Sequence, residues 1–168
     1  MPPSSEQDER DAQREAAPSR PAPTELRFAL AVDWVSPSIA RERVREWLTR
    51  LDWSPAHVDD LVIVINEAVS NSIEHGFGIH PDHPGPPNGP HPDIEVFCRV
   101  LSQAGGRRVE FTVRDQGAWQ PVDPGPTHRG KGFNLMRACS DRLDVRRDAG
   151  GTTVIAVSRP VPVALRAL

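Results

Sequence analysis

The sequence predicts an α+β fold of two layers, with helices on one face of a mixed, mainly antiparallel sheet. Three observations predict it: two long segments with apolar residues at helical spacing, two pairs of alternating segments closed by glycine turns, and a short apolar helix between those pairs. A chain of 168 residues with a formal net charge of -3 suits one domain with a sizeable core. With 20 basic against 23 acidic residues there is no global field for nucleic acid, so no direct nucleic-acid partner is expected. No apolar run approaches membrane-spanning length, and no apolar signal core follows the N-terminal charges. The expectation is a cytoplasmic protein without a membrane partner. Cys98 and Cys139 lie far apart inside predicted elements and read as reduced thiols rather than a disulfide or metal pair.

Residues 1–24 are charged, alanine-rich and broken by proline, with no aromatic or branched aliphatic side chain, and are expected to form a disordered tail. The folded domain is expected over 25–159, with 160–168 as a C-terminal tail. Leu26, Phe28, Leu30 and Val32 alternate as in a strand with one buried face. Ser36-Pro37 then opens a helix in which Ala40, Val44, Trp47, Leu48 and Leu51 follow a 3.6 period. Arg41, Arg43, Arg45 and Arg50 fall largely outside that stripe, as a solvated surface or a partner face.

The longest helix starts at Ser54-Pro55, where serine can cap free N–H groups and proline suits the first turn, and it ends at Gly76. Val58, Leu61, Val62, Ile65, Val69, Ser72 and Ile73 define its buried face, while Asp60, Glu67, Asn71 and Glu74 line up opposite. Ile63 and Val64 border this polar stripe, and an apolar border makes a glutamate a better proton acceptor than open water does. Glu67 followed four residues on by Asn71 therefore looks like a base beside a neutral oxygen ligand. A plain amphipathic helix with a wet face would show the same pattern.

Phe77 to Pro92 contains six prolines and three glycines and reads as a long irregular loop. His75, His80, His83 and His91 cluster around it, at a spacing that matches no familiar zinc pattern. Ile94 to Val100 and Val109 to Val113 alternate about Ala104-Gly105-Gly106 as a hairpin. Its second strand runs into Asp115-Gln-Gly117, which can present a carboxylate where a ligand comes close to backbone, although Asp-x-Gly is also ordinary turn chemistry. Gly130-Lys131-Gly132 precedes Phe133, Leu135, Met136, Ala138 and Cys139, and glycines at a helix start expose N–H groups suited to phosphate. A last hairpin turns at Asp148-Ala-Gly-Gly151, with Thr152 and Thr153 at its mouth, where threonine is also simply a good strand former.

The order of these pieces resembles the histidine-kinase-like ATPase superfamily, and within it the anti-sigma-factor serine kinases of the actinobacterial type. The likeness rests on Asn66-Glu-Ala-Val-Ser-Asn71 with Glu74-His-Gly76, Val113-Arg-Asp-Gln-Gly-Ala-Trp119, Arg129-Gly-Lys-Gly-Phe-Asn-Leu-Met136 and Asp148-Ala-Gly-Gly-Thr-Thr153. It covers about residues 25 to 159. The resemblance implies ATP and Mg2+ as cofactors, Glu67 as general base toward a serine hydroxyl, and Asn71 as Mg2+ ligand. It further implies that Asp115 accepts a hydrogen bond from the adenine amino group, with room left by Gly117. Gly130, Lys131 and Gly132 would form a lid over the phosphates, Thr152 would support the adenine end through Asp115 or a water, and Thr153 would be a further nucleotide-binding residue. The implied partners are a sigma factor, an antagonist protein that is phosphorylated, and a second copy of the chain. A nucleotide-controlled sequestering protein without significant kinase activity is the alternative. The 77–92 loop is longer and richer in proline than is usual in the family, and there is no phosphoacceptor helix pair of a full sensor histidine kinase.

Overall fold

The computed structural model describes residues 23–79, 94–103, 106–117 and 131–162. Strand β1 (Glu25–Leu30) leads into helix α1 (Ser36–Arg50) and helix α2 (Pro55–Asn71), which continues as a π-helical turn over Ser72–Gly76. Strands β2 (Ile94–Gln103) and β3 (Gly106–Asp115) follow, then helix α3 (Lys131–Cys139) and strands β4 (Arg142–Asp148) and β5 (Gly151–Val157). The sheet order is β1-β2-β3-β5-β4. Every neighbouring pair among these strands is antiparallel, so the mixed character expected from the sequence is absent from the described sheet. The reason is the placement of β5. It inserts between β3 and β4, so the two strands joined by the α3 crossover run in the same direction without touching.

Alternation puts one side chain in two toward the helices. Leu30, Ile94, Val96, Cys98, Val109, Phe111, Val113, Val154 and Ala156 are buried there against Ala40, Val44, Trp47 and Leu48 of α1 and the apolar face of α2. On the far face stand residues such as Arg27, Phe97, Arg99 and Glu110, with the Arg27 guanidinium 4.0 Å over the Phe97 ring and Arg99 paired to Glu110 at 2.8 Å. Every residue assigned from the sequence to the buried face of α2 is buried, including Ser72. The expected Ser54 cap is not made: its backbone is extended as a cap requires, but its hydroxyl meets His57 Nδ1 at 2.5 Å. Proline at the first position and packing on the sheet start the helix instead.

The backbone of Pro23 and Thr24 is tied to the domain, through Trp47 Nε1 donating to Pro23 O at 2.8 Å and Val100 N donating to Thr24 O at 2.9 Å. Val161 exchanges two hydrogen bonds with Arg107 at the other end of the chain. No helix among the described residues is long and apolar enough to cross a membrane. Both cysteines are free, and burial pushes their thiols upward from the usual range, Cys98 far more than Cys139.

Because Ile65 is fully buried between α1 and the sheet while Ile63 on the same helix is 37% exposed, truncating each separates packing from helix propensity. Ile65→Ala should lower unfolding free energy by about 2–5 kcal/mol and Ile63→Ala by under about 1 kcal/mol, measured by urea denaturation.

Candidate functional site

The site forms where the C-terminal end of α2 passes the ends of β3 and β5. The π-helical turn widens the last turn of α2 and carries Gly76 onto the end of β3. A Cβ on Gly117 would stand 2.2 Å from the Gly76 carbonyl oxygen, and a Cβ on Gly76 would stand 2.9 Å from Asp115 Oδ1. Both positions therefore require glycine for close approach. Gly151 opens β5 at φ 121°, with a Cβ excluded by the Asp115 carbonyl oxygen.

Asp115 is 1% exposed at the centre of this junction. Its carboxylate receives the Ser72 hydroxyl, the Gly117 N–H at 3.0 Å and the Thr152 N–H. Burial nevertheless pushes its pKa upward from 3.8, and the three hydrogen bonds, each favouring the charged form, only oppose that rise. Next to it Thr152 Oγ1 is buried with no hydrogen-bond partner among the described residues. A cavity of about 30 Å3 is lined by Asp115, Ser72, Asn71 and Thr152 together with Phe133 and Met136 of α3.

One turn away, Glu67 and Asn71 project from the polar face of α2 toward the start of α3. A Cβ on Gly132 would meet Glu67 Oε2 at 2.3 Å and lie 3.9 Å from Asn71 Oδ1. The glycine of the third motif thus rests directly on the two polar residues of the first. Lys131 is exposed at the first position of α3, and Gly130 lies outside the described residues.

The structure therefore brings together Glu67, Asn71 and Gly132, and beside them Asp115, Gly117 and Thr152. It does not bring Thr153 to the site. Strand alternation sends Thr152, Val154 and Ala156 to the helix side, and Thr153 to the far face between Arg114 and Arg146. Asp60, at the other end of the polar stripe, is exposed two turns before Glu67 and stays outside the site. Ser72 was expected only as a small buried residue. A hydroxyl on an otherwise apolar helix face was the signal that a buried acceptor waits opposite. The apolar reading of α3 holds for Met136, which is buried, and for Cys139, which packs half-buried against the core, whereas Phe133 and Leu135 are 39% and 45% exposed. Among the described residues no three His, Cys, Asp or Glu side chains converge as for a metal. His80, His83 and His91 lie outside the described residues.

The profile of the Histidine kinase-like ATPase domain family matches residues 33–158. The chain is 26% identical over 132 residues to the anti-sigma F factor of Oceanobacillus iheyensis, covering 72% of this chain and 82% of that protein. It is 32% identical over 129 residues to the anti-sigma F factor of Geobacillus thermodenitrificans, covering 70% and 80%. The fold also matches the crystal structure of the RsbU and RsbW domains of Rv1364c from Mycobacterium tuberculosis, with a TM-score of 0.55 and 22% identity over 84% of this chain and 34% of that one. The chain belongs to the histidine kinase-like ATPase domain family, and its relatives include anti-sigma F factors. Membership makes it an ATP-binding domain.

The rise in the Asp115 pKa means that the native state holds its proton above pH 3.8, where the unfolded chain has released it. Its stabilising contribution is thus full at low pH and lost as pH rises through the folded value. Asp115→Asn should therefore gain thermal stability relative to the unsubstituted protein as pH is raised above about 4, read from Tm in paired melts. A difference in Tm independent of pH would overturn the assignment of burial as the dominant influence.

Proposed function

We propose that this chain is an ATP-binding anti-sigma factor and a protein-serine kinase that phosphorylates an anti-sigma-factor antagonist. The observation that carries the proposal is the meeting of Glu67 Oε2, Asn71 Oδ1 and Gly132, which puts a proton acceptor, an oxygen ligand and a bare backbone at one point. The relatives named anti-sigma F factors supply a sigma factor as a partner class, and the antagonist of the anti-sigma factor is the phosphorylated partner in this reading.

The chemistry of the pocket fits ATP. Asp115 offers a buried acceptor to an adenine amino group, and Thr152 Oγ1 offers a hydroxyl with no hydrogen-bond partner among the described residues, while the space a side chain on Gly117 would take is filled by the Gly76 carbonyl. Asn71 is the single protein oxygen proposed for Mg2+, which suits a cation that keeps most of its shell from phosphates and water. When bound, Mg2+ supplies neutralisation of the phosphate charge. Gly132 with Lys131, and Gly130 before them, cover the phosphates with N–H groups and one ammonium. Glu67 takes the proton of the attacking serine hydroxyl as its oxygen bonds to the terminal phosphorus and the bond to ADP breaks. The protein's share is positioning and charge stabilisation. Phe133 and Met136 of α3 are part of the lining of the cavity of about 30 Å3 against Asp115, and in this reading α3 shifts outward to admit a purine.

A homodimer is part of this reading, supported by β1, which among the described residues pairs only with β2 and so offers its outer backbone edge to a second copy. The folded unit is taken as 25–159 together with Pro23, Thr24 and Val161, which hydrogen bonds tie to it.

Incubation with labelled ATP and an antagonist protein should label a serine. Glu67→Ala should abolish labelling while nucleotide Kd is retained. Labelling that survives the substitution removes Glu67 as the base, whereas nucleotide-dependent partner capture with no transfer by the unsubstituted protein establishes the sequestering alternative.

A further inference from the structure

Glu67 does not stand alone on its helix face. Its Oε1 accepts a hydrogen bond from Asn66 Nδ2 at 3.1 Å, while its Oε2 is the oxygen facing Gly132. Asn66 in turn accepts, through Oδ1, a bond from an Arg41 guanidinium nitrogen at 3.1 Å, and the other terminal nitrogen of Arg41 donates to Ser38 Oγ at 2.8 Å. Arg41, Asn66 and Glu67 are all half-buried, so the chain is only partly open to competing water.

The direction of this chain has a chemical cause. An arginine only donates, so it selects the carbonyl end of the Asn66 amide and leaves the NH2 end for Glu67. A reversed amide would point N–H groups at a guanidinium and an oxygen at a carboxylate, two repulsive contacts in place of two attractive ones. Arg41 on α1 thus fixes which way Asn66 faces, and Asn66 fixes the rotation of the Glu67 carboxylate. One oxygen is tied, and the other is aimed at the start of α3.

We propose that Asn66, oriented by Arg41, is a positioning residue that holds Glu67 with Oε2 toward the phosphate-transfer point. This rests on the reading of Glu67 as the base and adds to it a residue pair that acts through the base. The bond from α1 also means that the arginine face and the base share one hydrogen-bonded path.

The test uses the full chain with ATP and a phosphorylatable antagonist, comparing Asn66→Ala, Asn66→Asp, Arg41→Ala and Glu67→Ala. In Asn66→Ala, kcat at saturating ATP and protein substrate should fall about tenfold or more, with ATP Kd and Tm retained. Asn66→Asp, the same size but unable to donate, should fall at least as far. Adding Arg41→Ala to Asn66→Ala should lower kcat no further, because both act through one bond. A kcat in Asn66→Ala equal to the unsubstituted rate, with Glu67→Ala inactive, overturns the positioning role and leaves the base intact. Transfer surviving in Glu67→Ala overturns both. A readout independent of activity is the Asn66 side-chain amide resonances, which should move in both Arg41→Ala and Glu67→Ala. Resonances indifferent to the two substitutions overturn the proposal even where no phosphate is transferred.

Discussion

Where the end of α2 meets the end of β3, the Gly76 carbonyl oxygen stands where a side chain on Gly117 would have to be, and the rest of the site depends on that contact. It sets the depth at which the helix lies on the sheet. From that depth follow the burial of Asp115, the reach of the Ser72 hydroxyl to it, and the height at which Glu67 and Asn71 stand above the strands. A methyl group at either glycine would lift the helix end and disturb all four at once. The π-helical turn serves the same contact, because its wider backbone presents Gly76 toward β3 where a continued α-helix would rotate it away.

The two faces of α2 do opposite work, and the helix is long enough to keep them apart. Its apolar face is locked by Val62, Ile65, Val69 and Ile73 against α1 and the sheet, which fixes rotation about the helix axis. With rotation fixed, Glu67 and Asn71 need no further support to share a side. Their fine orientation comes from elsewhere, from α3 through Gly132 and from α1 through Arg41 and Asn66. Packing therefore sets where the polar residues are, and hydrogen bonds set how they point.

Much of this was legible before any coordinates. The periodicity of α2, the two hairpins and the short α3 are local patterns, and local patterns are what a sequence displays directly. The antiparallel order around β5 was not, because strand adjacency is a tertiary choice that a hairpin does not specify. Thr153 shows a signal present but unread: Val154 and Ala156 are the apolar positions of β5, so the phase of the strand already sent Thr152 inward and Thr153 outward. Asn66 is different. Its neighbour Arg41 lies 25 residues earlier, and nothing in either local pattern reveals that their side chains meet. Gly132 over Glu67 is of the same kind, since two motifs can be recognised singly without disclosing their contact.

The small cavity beside Asp115 carries a thermodynamic meaning. Phe133 and Met136 are part of its lining, so if a purine is taken up there through an outward shift of α3, the observed affinity is the intrinsic affinity scaled by the population of the shifted state. A change that favours the shifted α3 without touching the nucleotide would then raise the observed affinity. Phe133 and Leu135 of α3 are exposed, and Met136 is its one fully buried side chain, with Cys139 packed beside the core. The seating of a single methionine then bears on this pocket as directly as the polar groups of Asp115 and Thr152 that share its lining.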